Sequence, residues 1–240
     1  MTILPGLTAT ASCLRATLSE LGDLVLPGRC GACRRPGELL CPGCRARLEP
    51  GCPRTIAGVP VRAALAYRGP AAALVRAVKS GGETELLRPL SALFAPLLRA
   101  EIAAALDAGE AEIAVTTIPM TARSARRRGH DLVAALVRGA GIRPVPTLAW
   151  ARRPTSLEGL SAPARRRARA GAFRGRGTPP RRLILVDDIV TTGATIADAI
   201  RVLTRDGAEI RVVLALAAAE RRTPERAAPD SLGEHPGERA

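Results

Sequence analysis

Lysine is nearly absent from this chain. Lys79 stands alone among 36 basic residues, so arginine carries almost all the positive charge behind a formal net charge of +14. Aromatic residues are equally scarce, with one Trp, one Tyr and two Phe in 240 residues. Leu, Val, Ile and Ala must therefore build the core, and the stacking platform needed for sequence-tolerant binding of single strands is missing. No uncharged run reaches the roughly 18 residues that a membrane span requires. The opening "MTILPGLTATASCL" has no basic lead and carries Pro5 and Gly6 before Arg15, Glu20 and Asp23. That suits a loop and helix better than a secretory leader, and the expected location is the cytoplasm.

What is present is an apolar fraction of 47%, typical of a globular chain, and a length that accommodates one substantial core plus a small module. A bias toward Arg, Ala, Gly and Pro accounts for much of the net charge, so clustering is more informative than the total. Residues 150–183 hold ten arginines against one acid, Glu158. A second group, Arg123, Arg126, Arg127 and Arg128, follows an expected strand. Both groups fit phosphate-rich ligands, and both also fit solvated basic faces.

All six cysteines fall within the first 52 residues. "CGACRRPGELLCPGC" spaces Cys30, Cys33, Cys41 and Cys44 as C-x2-C-x7-C-x2-C. Two residues between thiolates let one tight turn aim both sulfurs at a single ion, and two such knuckles complete a closed tetrahedral site, which points to structural Zn2+. Buried free thiols or disulfides are the alternatives, and a cytoplasmic chain does not retain disulfides. Cys52 has no partner at the spacing a third knuckle needs. Cys13 sits in a helical pattern and reads as a packing residue.

Beyond the cysteines, strand and helix patterns alternate. Strands are expected at 61–67, 112–119, 144–150, 181–188 and 209–219, and helices at 70–80, 84–109, 130–141 and 195–208. Such βαβ alternation with continuous apolar strands implies an α/β fold with a parallel, Rossmann-like sheet covered on both faces. Segment 151–182 reads as a long loop, and 220–240, rich in Pro, Glu and Arg without periodicity, as a disordered tail.

The stretch that carries chemistry is "LILVDDIVTTGAT", Leu183 to Thr195. In a parallel sheet, ligands bind beyond the carboxyl ends of the strands, and Asp187 and Asp188 are expected at that place. Thr191, Thr192, Gly193, Ala194 and Thr195 then supply backbone N–H groups, a glycine turn and three hydroxyls at a helix N-terminus, which together suit a phosphate. A phosphate in the turn and a diol or divalent cation on the acids describe a sugar 5-phosphate. An acid pair closing a strand, with a threonine cap on the next helix, is the plainer reading.

At these residues the chain resembles the type I phosphoribosyltransferases, whose ribosyl-phosphate motif is a hydrophobic run, two acids and a T-T/S-G-x-T loop. The resemblance implies that residues 191–195 hold the 5-phosphate of 5-phosphoribosyl-1-diphosphate and that Asp187 and Asp188 hold the ribose hydroxyls and stabilise a developing oxocarbenium-like centre. It also implies Mg2+ on the diphosphate. The order of the cysteine module, "YRG…LVRAVKSGG", "RRRGHDLVAALV", "RRPTSLEGLSAPARRRARAGAF" and the motif is similar to the ComF family over roughly residues 20–219. Where that family usually shows R-G-F-N-Q, this chain has Arg128, Gly129, His130, Asp131 and Leu132, and Glu158 replaces a usual Gln.

The implied domains are 1–58, a helix and four-cysteine zinc-ribbon-like module; 59–219, a phosphoribosyltransferase-like domain of the type I fold; and the tail 220–240. Arg123, Arg127 and Arg128 are candidates for meeting the diphosphate, and Lys79 for supplying a compact point charge. Segment 151–173 reads as a lid, with disorder or nucleic-acid contact as rivals. His130 is a candidate general base that more often would be structural. Two functions remain open. One is a phosphoribosyltransferase acting on an unknown acceptor, in a family linked to competence and DNA uptake. The other is a non-catalytic nucleotide-sensing or single-stranded-DNA-handling protein.

Overall fold

The computed structural model describes residues 28–110, 112–151 and 171–220. The expected N-terminal helix, most of the expected lid and nearly all of the tail lie outside the described residues.

A mostly parallel five-stranded sheet forms the centre. Its strands are β1 (Arg54–Ile56), β2 (Val59–Ala66), β3 (Ala114–Thr117), β6 (Arg182–Val190) and β7 (Glu209–Ala218), in the order β1-β2-β7-β6-β3. β2, β7, β6 and β3 pair in parallel, while β1 folds back on β2 as an antiparallel edge. That hairpin was not expected, because three residues carry no readable period. The expected strand at 144–150 is shorter, β4 (Leu148–Trp150), and joins β5 (Phe173–Gly175) in a separate antiparallel ribbon rather than the main sheet.

Alternation along β6 explains how one strand organises two cores. Ile184 and Val186 belong to the cluster containing α2 (Gly69–Gly81), α3 (Leu87–Asp107) and α5 (Leu132–Gly139). Leu183 and Leu185 face the other cluster, with α6 (Ala194–Arg205) and the β4–β5 ribbon. All four are fully buried, which is why this strand reads as an unbroken apolar run. α6 is amphipathic, burying Ile196, Ala199, Ile200, Val202 and Leu203.

The cysteine segment is packed into the first core. Cys30, Leu40, Cys41 and Cys44 share a cluster with Leu74, Val78 and Leu86, and Pro42–Arg45 forms a single helical turn, α1. By length and composition Thr84–Asp107, α3 with its leading 3-10 turn, is apolar enough to cross a membrane. In this fold it is a core helix: Leu90, Phe94 and Leu98 are fully buried against the sheet cluster.

Candidate functional site

The strands end at different heights, and that stagger opens a cavity. β3 pairs with β6 only as far as Thr117 opposite Val186, with Ile118 N–H closing onto Val186 O at 2.9 Å. β6 continues past that point to Val190, still paired with β7. Asp187 and Asp188 therefore lie inside a strand that runs to Val190, beyond its expected end at 188, held by β7 on one side and bordering the space that β3 vacates. The chain leaving β3 turns through Pro119 and Met120 into α4 (Ala122–Arg128), which completes the wall.

The cavity has a volume of about 230 Å³ and is lined by Asp187, Asp188, Thr195, Arg128, Asp131, Thr121, Ser124 and Trp150, among others. Asp187 is buried, and its Oδ1 accepts the Asp188 N–H at 2.8 Å. Asp188 is more open, and its Oδ2 lies 2.7 Å from Lys79 Nζ at the end of α2. Arg127 Nη2 donates to the Lys79 carbonyl at 3.4 Å, tying α4 to the same helix end. The chain's only lysine thus reaches the motif's second acid, as an extended flexible side chain can from a helix terminus.

The turn after the acids is shaped by Gly193, whose φ of +80° lies in the left-handed region that favours glycine. Gly193 caps α6, and its missing Cβ leaves room for Ile56, whose Cδ1 would overlap such an atom and whose Cγ1 would stand 3.0 Å from it. Arg54 braces the turn by donating to Thr191 O at 3.0 Å and to Ala219 O at 2.6 Å. Thr192 Oγ1 accepts the Ala194 N–H at 3.5 Å, and the Thr191 and Thr192 residues are exposed. The start of a 12-residue helix therefore opens beside the acid pair.

The sequence-derived candidates are brought together unevenly. Asp187, Asp188, Thr195 and Arg128 line the cavity, and Lys79 and Arg127 join it through the contacts above. Arg123, exposed on α4, is not among the lining residues, and neither are Thr191, Thr192, Gly193 and Ala194 of the turn. His130 does not line it either: Nδ1 donates to the Arg128 carbonyl at 2.8 Å, and Nε2 is buried with no hydrogen-bond partner. That arrangement gives no support to a general-base role.

Thr121, Ser124 and Trp150 line the cavity without any mark in the sequence, and Asp131, a departure from the family pattern, lines it too. Thr121 caps α4 by accepting Ser124 N–H at 3.1 Å, and Asp131 caps α5 by accepting Ala134 N–H at 3.0 Å. Trp150 Nε1 donates to Pro119 O at 2.9 Å, and its ring packs on Phe173 with centroids 4.6 Å apart. Outside the cavity lining, Asp198 is buried on α6, accepts N–H groups from Gly171 at 2.9 Å and Phe173 at 3.0 Å and pairs with Arg201 at 2.7 Å. Burial pushes its carboxyl up, but Arg201 and the two backbone donors outweigh that and hold it below the ordinary carboxylate value. Cap positions and single aromatics have no distinguishing spacing, so only the helix starts hinted at Thr121 and Asp131.

The four cysteines form a second candidate site. Cys30, Cys33, Cys41 and Cys44 place their sulfurs within 4.8 Å of one another, and Cys33 Sγ and Cys41 Sγ are 3.7 Å apart. A tetrahedron with Zn–S of about 2.3 Å has sulfur edges of about 3.8 Å, so the donor set fits a metal ion of that kind. Burial pushes the Cys30 thiol up, yet N–H donors of Cys33, Cys41 and Ala32 overcome it and hold the group at about 6. Burial and the neighbouring thiols raise Cys44 to about 12. The first knuckle is a tight turn closed by Arg34 N–H to Cys30 O at 2.8 Å, with Arg34 itself at φ +65°.

No protein-family model matches the chain, and no curated protein matches it. Among solved structures, the orotate phosphoribosyltransferase from Aeropyrum pernix is similar over 44% of this chain and 48% of that one, at 22% identity and a TM-score of 0.25. The matched stretch spans less than half of either chain.

Proposed function

We propose that this chain is a cytoplasmic phosphoribosyltransferase-like protein of the ComF type, which binds 5-phosphoribosyl-1-diphosphate with magnesium and transfers ribose 5-phosphate to an acceptor. The observation that carries this reading is that Asp187, Asp188 and Thr195, in the first turn of the helix that Gly193 caps, line one cavity, with Lys79 on Asp188. The glycine turn and the α6 N-terminus suit the 5-phosphate, and the two carboxylates suit the ribose hydroxyls and the positive charge that develops at C1. Lys79 and Arg128 would meet the diphosphate as it leaves.

Magnesium fits this arrangement as a companion of the diphosphate. The acid pair is already engaged by Lys79 and a backbone N–H and forms no all-protein cage, whereas magnesium is typically held through substrate phosphates and one or two carboxylates. When bound, it neutralises charge on the leaving group. Structural zinc in the Cys30, Cys33, Cys41 and Cys44 cluster is part of the same reading.

A second reading, a single-stranded-DNA-handling protein of the uptake machinery, draws on the exposed Arg123, Arg126 and Arg127 of α4. Thermal unfolding separates the two. A ligand at 100 times its Kd stabilises by about 2.7 kcal/mol, so the sugar diphosphate with magnesium should raise Tm. If only oligonucleotide raises it, and that effect fades steeply with salt, the transferase reading fails.

A further inference from the structure

We propose, resting on the ligand assignment above, that the four-cysteine cluster is a positioning element for Lys79, so that its metal occupancy sets the affinity of the cavity for the sugar diphosphate. The link is α2. Its Leu74, Val75 and Val78 are fully buried in the cluster that also holds Cys30, Cys41 and Cys44. The first knuckle is seated directly on this helix and the turn after it: a Cβ at Gly31 would stand 2.5 Å from Leu86 Cδ1 and 3.1 Å from Leu74 Cδ2. Arg34, in the same knuckle, pairs with Glu83 at 2.7 Å, one residue past the left-handed cap Gly82.

The cavity holds the same helix end from the other side. Lys79 Nζ meets Asp188 Oδ2, and Arg127 Nη2 meets the Lys79 carbonyl. Residues 79–86 are therefore gripped between the cysteine knuckle and the acid pair. Two glycines, Gly81 and Gly82, follow Lys79, so the chain there has little stiffness of its own and takes its position from what it packs against. A lysine side chain loses much rotamer freedom when fixed, which makes its contact sensitive to backbone placement. Four thiolates on one ion would lock the knuckle, and the knuckle locks the helix end. Metal loss would free both, and by linkage the sugar diphosphate must in turn hold the metal more tightly.

Gly31→Ala tests this on the full chain. Gly31 has no positive φ, carries no metal ligand and lies outside the cavity, so the added methyl acts through the contact between the knuckle and the buried Leu86 and Leu74. The variant should keep its zinc stoichiometry, bind 5-phosphoribosyl-1-diphosphate with magnesium about tenfold more weakly, and lose nothing further when combined with Lys79→Met. Zinc release to a chromogenic chelator, followed on folded protein, should slow when the sugar diphosphate saturates wild type but not Lys79→Met. The inference is overturned if Gly31→Ala retains zinc and full affinity, or if ligand leaves the zinc-release rate of wild type unchanged. If zinc-loaded wild type binds no sugar diphosphate, the ligand assignment fails and this inference falls with it.

Discussion

Gly193→Ala probes how the motif's turn is built. Two separate costs follow from the structure. The φ of +80° places an alanine in left-handed backbone, which costs about 1–2 kcal/mol. The new Cβ would also overlap Ile56 Cδ1 and stand 3.0 Å from Ile56 Cγ1, and such overpacking costs about 1–3 kcal/mol. Together these give about 2–5 kcal/mol, a large share of the roughly 5–15 kcal/mol that typically holds a domain. Ile56→Val removes the nearer methyl and alone should cost about 0.5–1.5 kcal/mol. In the double variant the clash is relieved while the backbone strain stays, so the total should fall short of the sum of the singles by about 1 kcal/mol. Urea denaturation measures all three, with unchanged m values confirming that the unfolded reference has not moved. A Gly193→Ala loss under about 0.5 kcal/mol, the level of an ordinary surface change, or strict additivity with Ile56→Val, would refute this reasoning.

Asp198→Ala strips two backbone donors and Arg201 of a buried acceptor and should cost about 2–4 kcal/mol by chemical denaturation. Because the folded carboxyl is held below its ordinary value, the ionised form's stabilisation is complete above the unfolded pKa and is lost as pH falls through the folded one. The gap between wild type and Asp198→Asn should thus narrow below about pH 4, and a gap constant across that range would contradict the assignment. Cys33→Ser should lower bound metal and Tm together, while an unchanged metal content would remove the cluster as a site. Metal binding should also release protons at neutral pH, since Cys44 in the metal-free fold is raised to about 12 and must give up its proton to become a ligand. Affinity for zinc should therefore rise with pH, as zinc titrations in buffers of differing ionisation enthalpy would reveal.

Much of this architecture was legible because of repetition. The apolar run ending in Asp187 and Asp188 could only be a strand buried on both faces, and the helix after the glycine turn shows its period in Ile196, Ala199, Ile200 and Leu203. The spacing of the two CxxC pairs suggests one ligand set, and the fold brings their four sulfurs within 4.8 Å of one another. What stayed hidden lacks a period. β1 and β5 are three residues each, and antiparallel pairing at an edge leaves no mark in so short a stretch. Asp198 looks like the polar face of an amphipathic helix, and only the fold shows that chain from 171 to 173 covers it. Lys79 stood out merely by being the sole lysine; its contact with Asp188 depends on β6 outrunning β3, a register that no local pattern encodes. Trp150 and Ser124 reach the cavity from outside the motif for the same reason.

Calorimetric titration of 5-phosphoribosyl-1-diphosphate in the presence of magnesium, into wild type and into a chain carrying Asp187→Asn and Asp188→Asn, tests the central claim most directly. The account predicts micromolar binding to wild type and none to the doubly substituted chain at unchanged Tm. Equal affinity in both chains, or no binding to wild type, would contradict it.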